Sequence, residues 1–573
     1  MAARSTKGSP ELATLVREQQ DLARESQIID KQLIAAKSEA PDKRKPDAEK
    51  ALSDRLAAID ARLVEIGGRL AKDFKDYAAL ASPKPASPAD VQADLQEDEA
   101  LVLFLDTHAR FEPLPEETFV WIVTKTDVRW LRSDLGTEAL AREVAALRCG
   151  LDAAAWDGQG AQDCAGLLSM PLDKAPKEND PLPFDHARAH KLYSALFGEV
   201  EDLIKGKQPL IVPSGALTQL PFQVLVTQEP VGWVEPARPN ASAASPGVGS
   251  PASTQPTDFG DRNITWLIRD HALTVLPAVS SLKALRGTGK PSAATKPMIG
   301  FGNPLLDGDQ SDRKYGAYYK AQAVQARAQN GCAKTAVQRT ASLRGLRRSL
   351  APLALERGFA NVAQIRIQAP LPETADELCA VARDLETDVS EIRLGANATE
   401  REVKALSASG ALAKYRVLHF ATHGALAGQL TGTTEPGLLL TPPATASEED
   451  DGYLSASDIA GLKLDAAWVI LSACNTAGPA GGGAGAEALS GLARAFFYAQ
   501  ARALLVSHWA VDSNAAVKLI TGAVGETARD PKVGRAEALR RAMLALADSP
   551  DAAVAHPSYW APFVVVGEGG ASR

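Results

Sequence analysis

From residue 391 onward the chain repeats one pattern, a short continuous apolar run followed by a helix-period stretch. The runs are EIRLG (391–395), RVLHFATHG (416–424), AWVILSAC (467–474), ARALLVSHW (501–509) and FVVVGE (563–568). The helical stretches occupy 373–386, 399–409, 487–500, 513–527 and 534–547. A strand that is apolar at consecutive positions must be covered on both faces, and a helix between two strands returns the chain so that the second runs parallel to the first. The expected fold is therefore α/β, a mostly parallel sheet flanked by helices. In such sheets ligands bind beyond the carboxyl ends of the strands, where the loops diverge.

The rest of the chain is organised around this unit. KPMIGFGNPLL (296–306) starts it, so a domain over 296–573 is expected, with an insertion at 313–357 holding ten Lys or Arg and one acid. Before it, ALVLFL (100–105), TFVWIV (118–123), VRWLRS (128–133), PLIVPSG (209–215) and WLIRDHALTVLP (266–277) mix with helical stretches and predict a second α/β region over 97–290. Its segment 235–261 is rich in Pro, Ala, Ser and Gly and reads as a flexible loop. Residues 1–82 form a further unit. Leu12, Leu15, Leu22, Ile29 and Leu33, then Leu52, Leu56, Ile59, Leu63, Ile66 and Leu70, follow a seven-residue repeat on either side of EAPDKRKPD, which predicts a helical hairpin or coiled coil. Its expected role is packing against a partner helix, which makes it the candidate contact for a regulatory protein.

Composition narrows the function classes. A net charge of −8 gives no overall attraction to nucleic acid or anionic membrane. No run of ~18 apolar residues is present to span a bilayer, and the N-terminus lacks the apolar centre of a signal peptide. Cys149, Cys164, Cys332, Cys379 and Cys474 show neither a CxxC pair nor zinc spacing. The expectation is a cytoplasmic protein in a reducing compartment, without a structural metal site or a disulfide scaffold.

The strand-end rule selects two residues. RVLHFATHG ends at His423-Gly424 and AWVILSAC ends at Cys474, so both emerge at one sheet edge. On neighbouring strands, ~4.8 Å apart, an imidazole would stand beside a sulfur. Cysteine is a strong nucleophile near neutral pH, and a nearby imidazole favours its thiolate. The Gly424 and Cys474 amides are placed to hold an oxyanion. AGPAGGGAGAE (477–487) beyond the nucleophile reads as a mobile rim.

These residues resemble a known family. His423-Gly424 after an apolar strand, LSACNTAG, EALSGLARAF (487–496), LLVSHW (504–509) and HPSYWAPFVVVG (556–567) are similar to the CHAT domain, a caspase-like cysteine peptidase family related to separase. The likeness spans 370–568 and extends toward residue 97, where 97–290 would be a degenerate copy of the peptidase half. It implies a caspase–hemoglobinase fold with His423 and Cys474 as the catalytic dyad, no metal or organic cofactor, and a protein as substrate. It also implies that Asp512 lies where such enzymes build the pocket for the residue before the scissile bond, selecting Arg or Lys, with Trp509 and His508 beside it. Asp512 has an equal reading as a helix N-cap. His419 reads as a core or supporting histidine and Glu487 as a helix start. The glycine run lacks a following Gly-Lys-Ser/Thr, which removes nucleotide binding. The basic stretch 313–357 reads as a solvated insertion or a self-cleavage site. The alternative to a peptidase is an inert caspase-like scaffold that assembles proteins.

Overall fold

The computed structural model describes residues 45–73, 86–108, 115–177, 180–229, 264–287, 292–329, 331–332, 359–425, 429–433, 435–472, 488–509 and 511–571, with scattered helical positions between Glu11 and Ala36. Most of the insertion 313–357, the loop 235–261, Cys474 and the glycine run 477–487 lie outside the described residues.

In chain order the elements that matter here begin with α1 (Pro46–Asp73), β1 (Glu99–Asp106), β2 (Thr118–Thr124), β3 (Val128–Ser133), α2 (Thr137–Cys149), α3 (His186–Phe197), β4 (Gln208–Val212), β5 (Thr274–Val275) and α4 (Val279–Gly287). They continue through β6 (Lys296–Gly302), α5 (Gly316–Ala328), α6 (Glu373–Asp384), β7 (Ile392–Leu394), α7 (Glu400–Ala408), β8 (Tyr415–Ala421), β9 (Gly424–Ala425), β10 (Gly437–Leu439) and β11 (Tyr453–Ser455). The last are β12 (Trp468–Leu471), α8 (Ala488–Tyr498), β13 (Ala503–Ser507), α9 (Ser513–Arg529), α10 (Arg535–Ala547) and β14 (Phe563–Gly567).

One 11-stranded sheet runs in the order β3-β2-β1-β4-β5-β14-β13-β12-β8-β6-β7, and β9, β10 and β11 form a small second sheet. Strands β13, β12, β8, β6 and β7 are mutually parallel, as are β1, β4, β5 and β14, and the two groups meet antiparallel at β13/β14. The sheet is thus mostly parallel within each group, as the apolar strand runs lead one to expect. The pairing of β14 with β5 joins both α/β regions in one sheet, and a hydrophobic cluster running from Ala100 to Val566 draws on both.

The core is layered as continuous apolar strands require. Phe420 on β8 stacks on Phe301 of β6 at 5.2 Å and meets Phe496 of α8 at 5.9 Å, so α8 covers one face. Helix α6 covers the other. Its approach depends on Gly300 and Gly302 of β6, where a Cβ would come within 2.8 and 2.6 Å of the Leu378 side chain. Within the insertion, α5 is packed rather than solvated: Tyr319, Ala323 and Ala326 are buried, and Asn303 Nδ2 donates to the Ala326 carbonyl at 2.8 Å.

At the N-terminus, Arg55 pairs with Glu25, Arg62 with Glu18 and Arg69 with Glu11. Each step of seven forward along α1 matches seven backward along the other helix, which defines an antiparallel pair. Leu15, Leu22, Ile29, Ile59 and Ile66 are buried between them, and Tyr498 at the end of α8 packs against this cluster.

The cysteines differ from expectation. Cys149–Cys164 and Cys332–Cys379 are disulfides, with Cα atoms 5.6 and 5.4 Å apart. Their sequence separations of 15 and 47 carry no signature, because the folding of α2 and α6 against later and earlier chain, not spacing, brings the pairs together. The pairing removes the argument from cysteine usage for a reducing compartment. Cys474 is the one of five cysteines outside these bonds.

Candidate active site

Strand β8 lies between β6 and β12, and His423 follows its carboxyl end. The His423 backbone is fixed first: its carbonyl accepts the Leu439 N–H at 2.9 Å, and the Thr422 hydroxyl donates to the Leu439 carbonyl. The side chain is fixed next. Imidazole Nε2 lies 2.7 Å from the Ala369 carbonyl oxygen. A carbonyl only accepts, so Nε2 carries the hydrogen and the lone pair of the neutral ring is on Nδ1. Gly424 pairs with Leu438, and because the ladder bond joins Leu439 to His423, that pair is a non-hydrogen-bonded one. The Gly424 amide consequently points away from β10.

The neighbour of β8 on the other side is β12. Ile470 stands opposite His419 and Leu471 opposite Phe420, an offset of 51 residues. The ladder continues past the strand with the Ser472 N–H on the Phe420 carbonyl at 3.0 Å. The separation of His423 and Cys474 is the same 51 residues. Described chain on the β12 side ends at Ser472, two residues short of Cys474.

A histidine with a fixed tautomer thus sits at the carboxyl edge of a parallel strand group, beside the strand that leads to a cysteine. A family model described as CHAT domain matches residues 186–568. The chain belongs to the CHAT-domain family. No curated protein matches it. The CHAT match starts at the first residue of α3 and takes in β4 to β14, so it spans both sides of the β13/β14 junction. The family is related to the caspase-like peptidases.

The residues after β13 are packed in this CHAT domain. Trp509 is 1% exposed and donates through Nε1 to the Ser558 carbonyl at 3.3 Å, with the Arg148 guanidinium 5.4 Å above its ring. Arg148, from the end of α2, also donates to the His508 carbonyl at 3.1 Å and pairs with Asp152 at 2.6 Å. His508 is 3% exposed, and burial, aided by Arg148, pushes its pKa down to about 3, so it is neutral at physiological pH. Asp512 takes the helix-cap role: Oδ1 accepts from Asn514 N–H at 2.8 Å, Ala515 N–H at 3.1 Å and the Tyr559 hydroxyl at 2.8 Å.

Four contributors were not singled out in the sequence. They are the Ala369 carbonyl, Arg148, Glu377 and Ser472. Fully buried His419 meets Glu377 Oε1 at 2.8 Å, and the Ser472 hydroxyl donates to Glu377 Oε2 at 3.1 Å. Of these, Glu377 had a readable signal, a carboxylate on the stripe shared by Thr374, Leu378 and Val381. Among the described residues no group of three or more His, Cys, Asp or Glu is placed to hold a metal, and no helix is long and apolar enough to cross a membrane.

Proposed function

We propose that the chain is a cysteine endopeptidase in which His423 and Cys474 act as the dyad on a protein substrate. The observation that supports this reading is the register of the described strands: the β8/β12 offset of 51 residues equals the His423–Cys474 separation, so the same pairing carried two residues past Ser472 would set the two positions side by side. In this mechanism Nδ1 of His423, its ring held by Ala369, takes the thiol proton of Cys474. The thiolate adds to the peptide carbonyl, and the oxyanion is held by the Gly424 and Cys474 amides. His423 returns the proton to the leaving amine, and water then hydrolyses the thioester. The second Asp512 oxygen faces a basic substrate side chain in this reading, with His508 and Trp509 forming the wall beneath it.

Regulation through a protein partner at the N-terminal hairpin is supported by the contact of Tyr498 with the hairpin core, since α8 begins where the segment after Cys474 ends. The inert scaffold is favoured by one observation, the burial of Trp509 and His508. Cleaved-peptide profiling of lysate with wild type and Cys474→Ala separates the two. New termini that vanish with Cys474→Ala support the peptidase, and identical profiles, with partners present, support the scaffold.

A further inference from the structure

Glu377, His419 and Ser472 form a polar cluster within the core, at 0%, 0% and 4% exposure. One carboxylate spans two strands: Oε1 meets His419 on β8 and Oε2 accepts from Ser472, the residue after β12. His419 comes four residues before His423 and Ser472 two residues before Cys474 in the chain, so the cluster sits at the carboxyl ends of the two strands that lead to the dyad positions. The segment leading into α6 also supplies the Ala369 carbonyl that holds His423. Glycines 300 and 302 admit α6 closely enough for this reach.

Stability does not account for the cluster. A buried carboxylate, imidazole and hydroxyl are costly beside an apolar trio of similar volume. In addition, His419 Nδ1 has no hydrogen-bond partner among the described residues. What the carboxylate adds is direction. Apolar contacts tolerate sliding, whereas two oxygens bonded to two strands fix their relative height.

We propose that Glu377 is a positioning residue whose carboxylate clamps the carboxyl ends of β8 and β12 so that His423 and Cys474 meet. This rests on the dyad reading above. The experiment uses the full chain under non-reducing conditions, where the other four cysteines are in disulfides and iodoacetamide alkylation reports Cys474. His423→Ala is expected to slow alkylation by roughly tenfold through loss of thiolate. Glu377→Ala is expected to slow it by several-fold, the double variant no more than His423→Ala alone, and Glu377→Gln to stay within about threefold of wild type. The amide can still accept from His419 and donate to the Ser472 oxygen. If Glu377→Ala does not fold, Glu377→Leu, which fills the space, replaces it. A Glu377 effect that multiplies with His423→Ala, or that is equal for Gln and Leu, overturns the proposal and leaves the dyad standing. No effect of His423→Ala on Cys474 overturns the dyad reading and this proposal with it.

Discussion

Replacing His508 with leucine should make the protein more resistant to acid, by an amount the structure sets. The imidazole is buried and its pKa is pushed down to about 3, while in the unfolded chain it titrates near the ordinary 6.5. Between those values the unfolded state holds a proton that the folded state does not. The stability contributed by the neutral ring is therefore complete above pH 6.5 and falls as pH drops through the window. The full shift corresponds to an upper figure of about 5 kcal/mol, of which about 2 kcal/mol is lost by pH 5. Glu400 acts in the opposite sense. Burial raises its pKa to about 7, so the folded state holds the proton between 4.5 and 7 and stability rises as pH falls through that range. The difference between variant and wild type cancels Glu400 and isolates His508. Urea midpoints at pH 7, 6 and 5 are the assay. His508→Leu should gain about 2 kcal/mol on wild type between pH 7 and 5. Parallel curves would refute the desolvated imidazole.

Arg286 donates to both oxygens of Glu99, to Glu568 and to the Asp94 carbonyl, and its side chain is 8% exposed. Arg286→Ala should cost about 3–5 kcal/mol in chemical unfolding because it strands buried carboxylates, and a loss under 1 kcal/mol would contradict that. Removing the Cys149–Cys164 bridge with a double serine variant opens a 15-residue loop and should lower stability by about 3 kcal/mol. An unchanged urea midpoint would mean that the bridge does not form. Asp512→Ala should cost about 1 kcal/mol through the lost cap of α9. If it also abolishes cleavage after Arg or Lys in a peptide library, Asp512 selects substrate as well, and unchanged preference confines it to the cap.

Much of the fold was legible because the strands are short and apolar on consecutive positions. The expected run 128–133 coincides with β3, and 118–123 and 563–568 fall within a residue of β2 and β14. Legibility failed where local pattern does not carry the information. WLIRDHALTVLP carries mixed strand and helix signals, and only the structure divides it into a four-residue helix and the two-residue β5 between β4 and β14. Nor is the antiparallel setting of β14 against β13 written in its residues, which are apolar at consecutive positions like those of the parallel strands. At the site, His423 was readable from the strand that presents it. Glu377 makes sense only once α6 is known to cross β6 and reach β12. His508 and Trp509 stand at the expected strand end, and it is Arg148, 360 residues away in sequence from His508, that closes over them.

The central claim is that positions 423 and 474 face each other across adjacent strand ends. Substituting His423→Cys converts that claim into chemistry, since two cysteines bridge only when their Cα atoms lie within about 7 Å. Under mild oxidant, the variant should form a 423–474 disulfide, seen by non-reducing peptide mapping and by loss of both thiols to alkylation. Two thiols that both remain open to alkylation, in a protein that melts like wild type, would contradict the account.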